Sequence, residues 1–510
     1  MPPILRSDGG CGHSLDPMPV RRTLARALAI VCIVMPAACS TDRAADDAAP
    51  TRPDSDGAFG WRSAGDGLQV GHLDVPIDRA HPENGTFTLL VERHLAERPS
   101  ERIGSLLVNP GGPGFGGTGL AEAAASVYGR DVLDHFDIVG WDPRGTGRSV
   151  PRIDCVDDYD PYFSLDSSPD TPAEQHAVVD AATRFGAACV RRSGAILPFV
   201  STAESARDMD AIRRALGEDS ISYFGFSYGS ELGVTWATMF PHTVRAMVID
   251  GAADGTVGAV DQNLQQAAGF EAAFDAFLQD CADHTDCAFH ENGAPAAAFD
   301  ALNAAVDAAP VPTEAGRPGV TQGVLATAVA DALYSRSSWL RLASALAALQ
   351  SGEGAEILAL YDDYYERSSD GSFGDELEAY FAIGCLDDPG ITDPTALFAR
   401  QDDFTSAAPR LGASWMLELQ VCASWPVPAS PVARTDAAGA GPIVVVGTTG
   451  DPATPLAGTR RQAEALVDGR LVVVTADQHT GYGLNDCVND AVDHYLVAIT
   501  VPKDELVCDR

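Results

Sequence analysis

Ile221-Ser222-Tyr223-Phe224-Gly225-Phe226-Ser227-Tyr228-Gly229-Ser230-Glu231 is the stretch on which the fold is read. Its first half is apolar and aromatic, as a buried strand requires. Its second half opens a helical pattern that runs to Phe240 and is closed by Pro241. Only Gly-Phe-Ser-Tyr-Gly is left to turn the chain between them. So tight a strand-to-helix turn strains its central residue, and the flanking glycines let strand and helix approach. Ser227 is therefore expected at a helix N-terminus with its hydroxyl exposed, as a nucleophile; the bland alternative is a plain glycine turn.

On both sides of this turn, short apolar runs alternate with helical stretches: Phe87 to Val91, Gly104 to Val108, Phe136 to Gly140, Ala246 to Asp250, Pro442 to Gly447 and Leu471 to Thr475. Ile443-Val444-Val445-Val446 and Leu471-Val472-Val473-Val474 are continuously apolar, which predicts central strands covered on both faces and hence a mostly parallel α/β sheet. From about 256 to 435 the sequence turns Ala-rich with helical spacing, as in Val324 to Leu333 and Trp339 to Leu349. That block is expected to be a helical cap inserted into the sheet domain, dividing a core of residues 58–255 and 436–510.

The chain has 510 residues and is 45% hydrophobic, enough for a large core and long for one compact domain. Its 34 Lys and Arg against 72 Asp and Glu give a net charge of −38, which repels nucleic acid and anionic lipid headgroups. Residues 1–39 read as an export signal: Arg21 and Arg22 precede an apolar run from Leu24 to Val34, too short to span a bilayer, and then small residues, with Met18 the more ordinary start. Pro36-Ala37-Ala38-Cys39 resembles a bacterial lipobox and makes Cys39 a candidate for lipidation and membrane anchoring, although Pro36 stands where Leu is usual. Residues 40–57 are too poor in apolar side chains to pack and read as a tether.

Eleven cysteines less the three at 11, 32 and 39 leave Cys155, Cys189, Cys281, Cys287, Cys385, Cys422, Cys487 and Cys508. An even set in an exported chain reads as disulfides, with neighbours paired in order as the expectation among the 105 possible connectivities. No C-x-x-C pair suggests zinc, and no metal or cofactor is expected.

A serine nucleophile needs a base and an acid, and in folds with this elbow they follow in the order Ser, acid, His. Asp451, after the run ending at Gly447, and His479, after the run ending at Thr475, have that order and lie past strand ends, where open α/β sheets bind ligands. Asp477 is the rival acid, and Thr454 could support the Asp451 carboxylate or cap a helix. Asn109-Pro110-Gly111-Gly112-Pro113-Gly114 follows another strand and can present amides to an oxyanion: one donor from Gly112 or Gly111, the other from Tyr228. No Gly-Lys-Ser/Thr follows it, which argues against a phosphate loop.

Together Pro-Gly-Gly-Pro-Gly, Phe136-Asp137-Ile138-Val139-Gly140-Trp141-Asp142-Pro143-Arg144-Gly145 and onward to Ser149, the Gly-Phe-Ser-Tyr-Gly-Ser elbow, Asp451-Pro452-Ala453-Thr454-Pro455 and the Cys487 to Cys508 tail resemble the secreted tripeptidyl aminopeptidases of actinobacteria. The resemblance covers nearly the whole mature chain and extends to proline iminopeptidases and some esterases. Two departures are Pro110, where relatives carry His, and Thr480, where Gly is frequent. The resemblance implies an α/β-hydrolase fold, no cofactor, and release of short peptides from a free N-terminus. Such an enzyme must bind an ammonium, for which Asp387, Asp388 and Glu231 are candidates. A carboxylesterase with the same triad, or a lipoprotein that only binds peptide, are the alternatives.

Overall fold

The computed structural model describes residues 56–431 and 436–509. Their strands form one ten-stranded sheet: β1 (Arg62–Gly65), β2 (Leu68–Pro76), β3 (Thr86–His94), β4 (Gly104–Asn109), β5 (Phe136–Trp141), β6 (Ile221–Phe226), β7 (Val244–Asp250), β8 (Ile443–Thr448), β9 (Gly469–Val474) and β10 (Leu506–Cys508). The spatial order is β1-β2-β3-β5-β4-β6-β7-β8-β9-β10. Pairing is antiparallel from β1 through β3 to β5 and parallel from β5 to β10. The seven apolar runs of the sequence are β3 to β9. β1, β2 and β10 were not expected: the first is fully exposed, and the last is three residues paired to β9.

Strand alternation explains why the central runs are apolar at every position. In β8, Ile443 and Val445 pack into the core on one face of the sheet, and Val444 and Val446 into the core on the other; Leu471, Val473 and Val472, Val474 divide likewise in β9. Both faces are covered, which leaves these apolar runs no solvent-facing position.

Between β7 and β8 the described chain is helical, from Ala259–Asp283 to Gly412–Ala423, with a third apolar core of its own that includes Phe274, Leu325, Leu346 and Met416. The two periodic segments appear as the helices Gln322–Leu333 and Trp339–Gln350. Four disulfides join Cys155 to Cys189, Cys281 to Cys287, Cys385 to Cys422 and Cys487 to Cys508, which is neighbour pairing in order and fits an extracytoplasmic protein. The export segment, Cys39 and the tether up to residue 55 lie outside the described residues. No helix among the described residues is long and apolar enough to cross a membrane.

Candidate active site

The chemistry-bearing side chains gather at the C-terminal ends of the parallel strands. Ser227 follows β6 with φ +54°, the strained left-handed conformation expected of the turn, and its N–H donates to Asp250 O at 2.8 Å. The first elbow glycine is sterically required, because a Cβ on Gly225 would lie 2.3 Å from Gly229 O. The loop after β4 presses against the turn from the other side: a Cβ on Gly111 would fall 2.9 Å from Ser227 Cβ. Gly111 N–H is engaged by Asn109 Oδ1 at 3.0 Å, whereas the Gly112 and Tyr228 amides have no acceptor among the described residues. Those two amides, expected as oxyanion donors, are left open beside Ser227.

Behind the serine, Asp451 is completely surrounded. Its Oδ1 accepts the Ala453 and Thr454 amides at 3.0 and 2.8 Å, and its Oδ2 accepts Thr454 Oγ1 at 3.0 Å and the Thr480 amide at 3.2 Å. His479 Nδ1 lies 2.9 and 3.0 Å from the two oxygens. Burial alone would lower the His479 pKa, but the Asp451 charge and hydrogen bond, with Asp250 beyond, hold it above the ordinary value. His479 Nε2 is buried without a partner among the described residues; no hydrogen bond joins it to Ser227 Oγ in this structure.

A cleft of about 200 Å³ opens beside Ser227, bounded by Gly112, Tyr228 and Thr454 and by residues of the helical block. Among the described residues five carboxylates line it, those of Glu231, Asp254, Asp387, Asp388 and Glu418, and no basic side chain does. The three amine-binding candidates are brought together here, but in different states. Asp387 accepts the Thr202 amide at 3.0 Å and Thr202 Oγ1 at 2.5 Å, at the start of the helix Thr202–Ala215. Asp388 is exposed and accepts the Ala259 amide at 2.9 Å, at the start of the helix Ala259–Asp283. Both aspartates satisfy helix N-termini. Glu231 is half-buried and has no such partner; burial, then Asp388, pushes its pKa up to about 7, while burial, then Glu231, pushes Asp387 to about 8. Among the described residues no group of three or more His, Cys, Asp or Glu side chains is arranged to hold a metal ion.

Comparison with known proteins places this arrangement. The profile described as TAP-like protein matches residues 408–508. The serine protease Hip1 of Mycobacterium tuberculosis is 35% identical over 87% of this chain and 87% of its own length. The chain belongs to the TAP-like family of α/β-hydrolases. It is a serine hydrolase of that family, similar also to carboxylesterase B of M. tuberculosis (38% identity, 86% of this chain, 85% of that protein) and to the tripeptidyl aminopeptidase of Streptomyces lividans (31%, 86% and 83%).

In this TAP-like hydrolase the rival acid, Asp477, points away from the histidine and pairs with Arg336 Nη1 at 2.9 Å. That contact joins the histidine loop to the helical block, as do Tyr334 O, which accepts the His479 amide at 3.0 Å, and the Ser335–Gln478 bridge. The Tyr334 ring stands edge-on to His479 at 5.6 Å. Sequence reasoning missed Tyr334, and it missed Asp250. The Asp250 carboxylate, fully buried at the end of β7, accepts the Gly481 amide at 2.8 Å and the Tyr482 amide at 2.7 Å. Its main chain holds the serine turn and its side chain the histidine loop. Burial pushes its pKa up to about 6 against those amide bonds and against His479. A strand-terminal Asp ahead of the helical block was the available signal.

Proposed function

We propose that the protein is an exported aminopeptidase that releases short peptides, tripeptides foremost, from free N-termini through an acyl-enzyme on Ser227. The observation that carries this reading is the cleft beside Ser227, with five carboxylates and no basic side chain, a surface suited to a substrate ammonium. Asn263 Oδ1, buried and unpartnered among the described residues, adds a neutral acceptor on the same cleft. Glu231 takes the ammonium, with Asp387 and Asp388 behind it, and the helical block of residues 256–435 acts as the cap over the site. Similarity to the tripeptidyl aminopeptidase supports the same substrate class.

In the reaction, Ser227 Oγ attacks the scissile carbonyl while His479 Nε2 takes its proton. Asp451 and Thr454 keep the imidazole in the tautomer that leaves Nε2 free, and the Gly112 and Tyr228 amides hold the oxyanion. The imidazolium then protonates the leaving amine, and a water activated by the same base hydrolyses the acyl-enzyme. Export follows from the N-terminal signal and is supported by the four disulfides; acylation of Cys39 would tether the protein to the envelope. Mass analysis of the mature N-terminus checks the acylation, with an unmodified terminus pointing to plain secretion.

Turnover of a tripeptide p-nitroanilide with a free N-terminus, and rejection of its N-acetylated form, tests the reading. Equal rates on both would refute it. The 38% identity to carboxylesterase B favours a second reading, an esterase with the same triad, which predicts turnover of short acyl esters and none of the anilides.

A further inference from the structure

Of the five carboxylates on the cleft, three have work within the fold. Asp254 is paired with Arg461 at 2.8 Å, and Asp387 and Asp388 hold helix N-termini. Glu231 and Glu418 remain, each without a cationic partner among the described residues. A peptide entering by its N-terminus brings one α-ammonium, which neutralises one of them. The other has chemistry to spare.

Glu418 differs from Glu231 in what lies behind it. It stands on the helix Gly412–Ala423 and, with Phe381, lines both the cleft and a second cavity of about 110 Å³. That chamber is walled mainly by aromatic and aliphatic groups, among them Phe163, Phe185, Tyr365 and Trp415. It also holds Gln420, 1% exposed, whose Nε2 donates to Pro394 O at 3.0 Å while its Oε1 is buried with no partner among the described residues. The chamber thus combines an apolar, aromatic lining with the unpaired Gln420 oxygen and the carboxylates of Glu418 and Asp166, the latter already accepting the Ser168 amide at 2.9 Å. A neutral apolar ligand would leave the Glu418 carboxylate and the Gln420 oxygen unanswered. A ligand with an alkyl stem and a cationic, multiply donating end fits the stem to the rings and its donors to the oxygens.

We propose that Glu418, Gln420 and the aromatic chamber form a subsite for a cationic group of the substrate carried on an aliphatic stem, namely a lysine or arginine side chain. The proposal deepens the aminopeptidase reading and rests on it for the identity of the scissile bond, though not for the subsite. The same chemistry could come from the substrate's α-ammonium, and the test separates the two.

The test uses tripeptide p-nitroanilides and tripeptide methyl esters in pairs, with lysine or norleucine at one position at a time, each free and N-acetylated. The full-length enzyme should prefer lysine over norleucine at one position by roughly tenfold or more in kcat/KM. Glu418→Gln should abolish that preference while norleucine turnover and the preference for a free N-terminus persist. Retained norleucine turnover also shows that the variant is folded. Gln420→Leu should reduce the lysine preference by a smaller factor. Loss of the free-amine preference in Glu418→Gln would assign this carboxylate to the α-ammonium and overturn the side-chain subsite. Equal losses on lysine and norleucine substrates would overturn it in favour of a structural role, as would the absence of any lysine preference in the unaltered enzyme. Turnover of esters without anilides would refute the peptidase reading alone, since the lysine-to-norleucine ratio on esters still scores Glu418.

Discussion

Two acid-rich regions meet at Ser227 and are built in opposite ways. In the triad corner, the oxygens of Asp451 and Asp250 are occupied by backbone amides, a threonine hydroxyl or the imidazole. In the cleft, Glu231 and Glu418 are half-buried and nearly without partners. Both regions desolvate negative charge, but the first offsets the cost with local donors and the second does not.

The largest expected effect breaks the first region. Ser227→Ala should lower kcat by about 10⁶ and abolish labelling by a fluorophosphonate without loss of folding, because the triad acts as a unit. Labelling retained at another serine would move the nucleophile. Asp451→Asn should lower kcat by roughly 10⁴ through the wrong imidazole tautomer. Asp477→Asn, whose carboxylate pairs with Arg336, should leave turnover nearly unchanged; a reversed ranking of these two variants would reassign the acid.

The cleft should respond in specificity rather than in chemistry. Glu231→Gln should cut the preference for free over acetylated N-termini by roughly tenfold or more, with little change on a short ester. Loss on both substrates alike would mark Glu231 as structural.

The pH profile sharpens the contrast. His479, held above the ordinary pKa of about 6.5, must be neutral to act as base, so kcat/KM should fall as pH drops through a midpoint above about 6.5. Asp250→Asn removes a negative charge that faces the imidazole and should move that midpoint down. Glu231, raised to about 7, must be ionised to bind an ammonium, so the acid-side fall should be steeper for a free-amine peptide than for an ester. Parallel profiles would separate Glu231 from amine binding.

The smallest effect concerns the frame. Replacing Cys487 and Cys508 by serine should destabilise the protein by at most ~2–5 kcal/mol, less in so large a core, read as a lower denaturant midpoint with activity kept in its absence.

The parts of the fold and site that were legible are those set by short-range rules. Continuous apolar runs became β3 to β9 because both faces of those strands are covered, and Gly-Phe-Ser-Tyr-Gly became the elbow because only glycine fits at 225, where any Cβ would lie 2.3 Å from Gly229 O. β1 and β10 escaped because strands of four and three residues are too short to show a period, and β1 is also fully exposed.

Among 72 acids, nothing local distinguishes Glu418. By itself, the sequence determined the strands β3 to β9, the order of Ser227, Asp451 and His479, and the loops that carry them, since sterics and strand periodicity act over a few residues. Only the tertiary structure decided which carboxylates are used up and which stay open. It spends Asp387 on Thr202 and Asp477 on Arg336, and it brings Glu418 from the last helix of the block to the cleft beside Ser227. The physical reason is that the free energy of a buried charge depends on the donors around it, and those donors arrive from elements far apart in the chain.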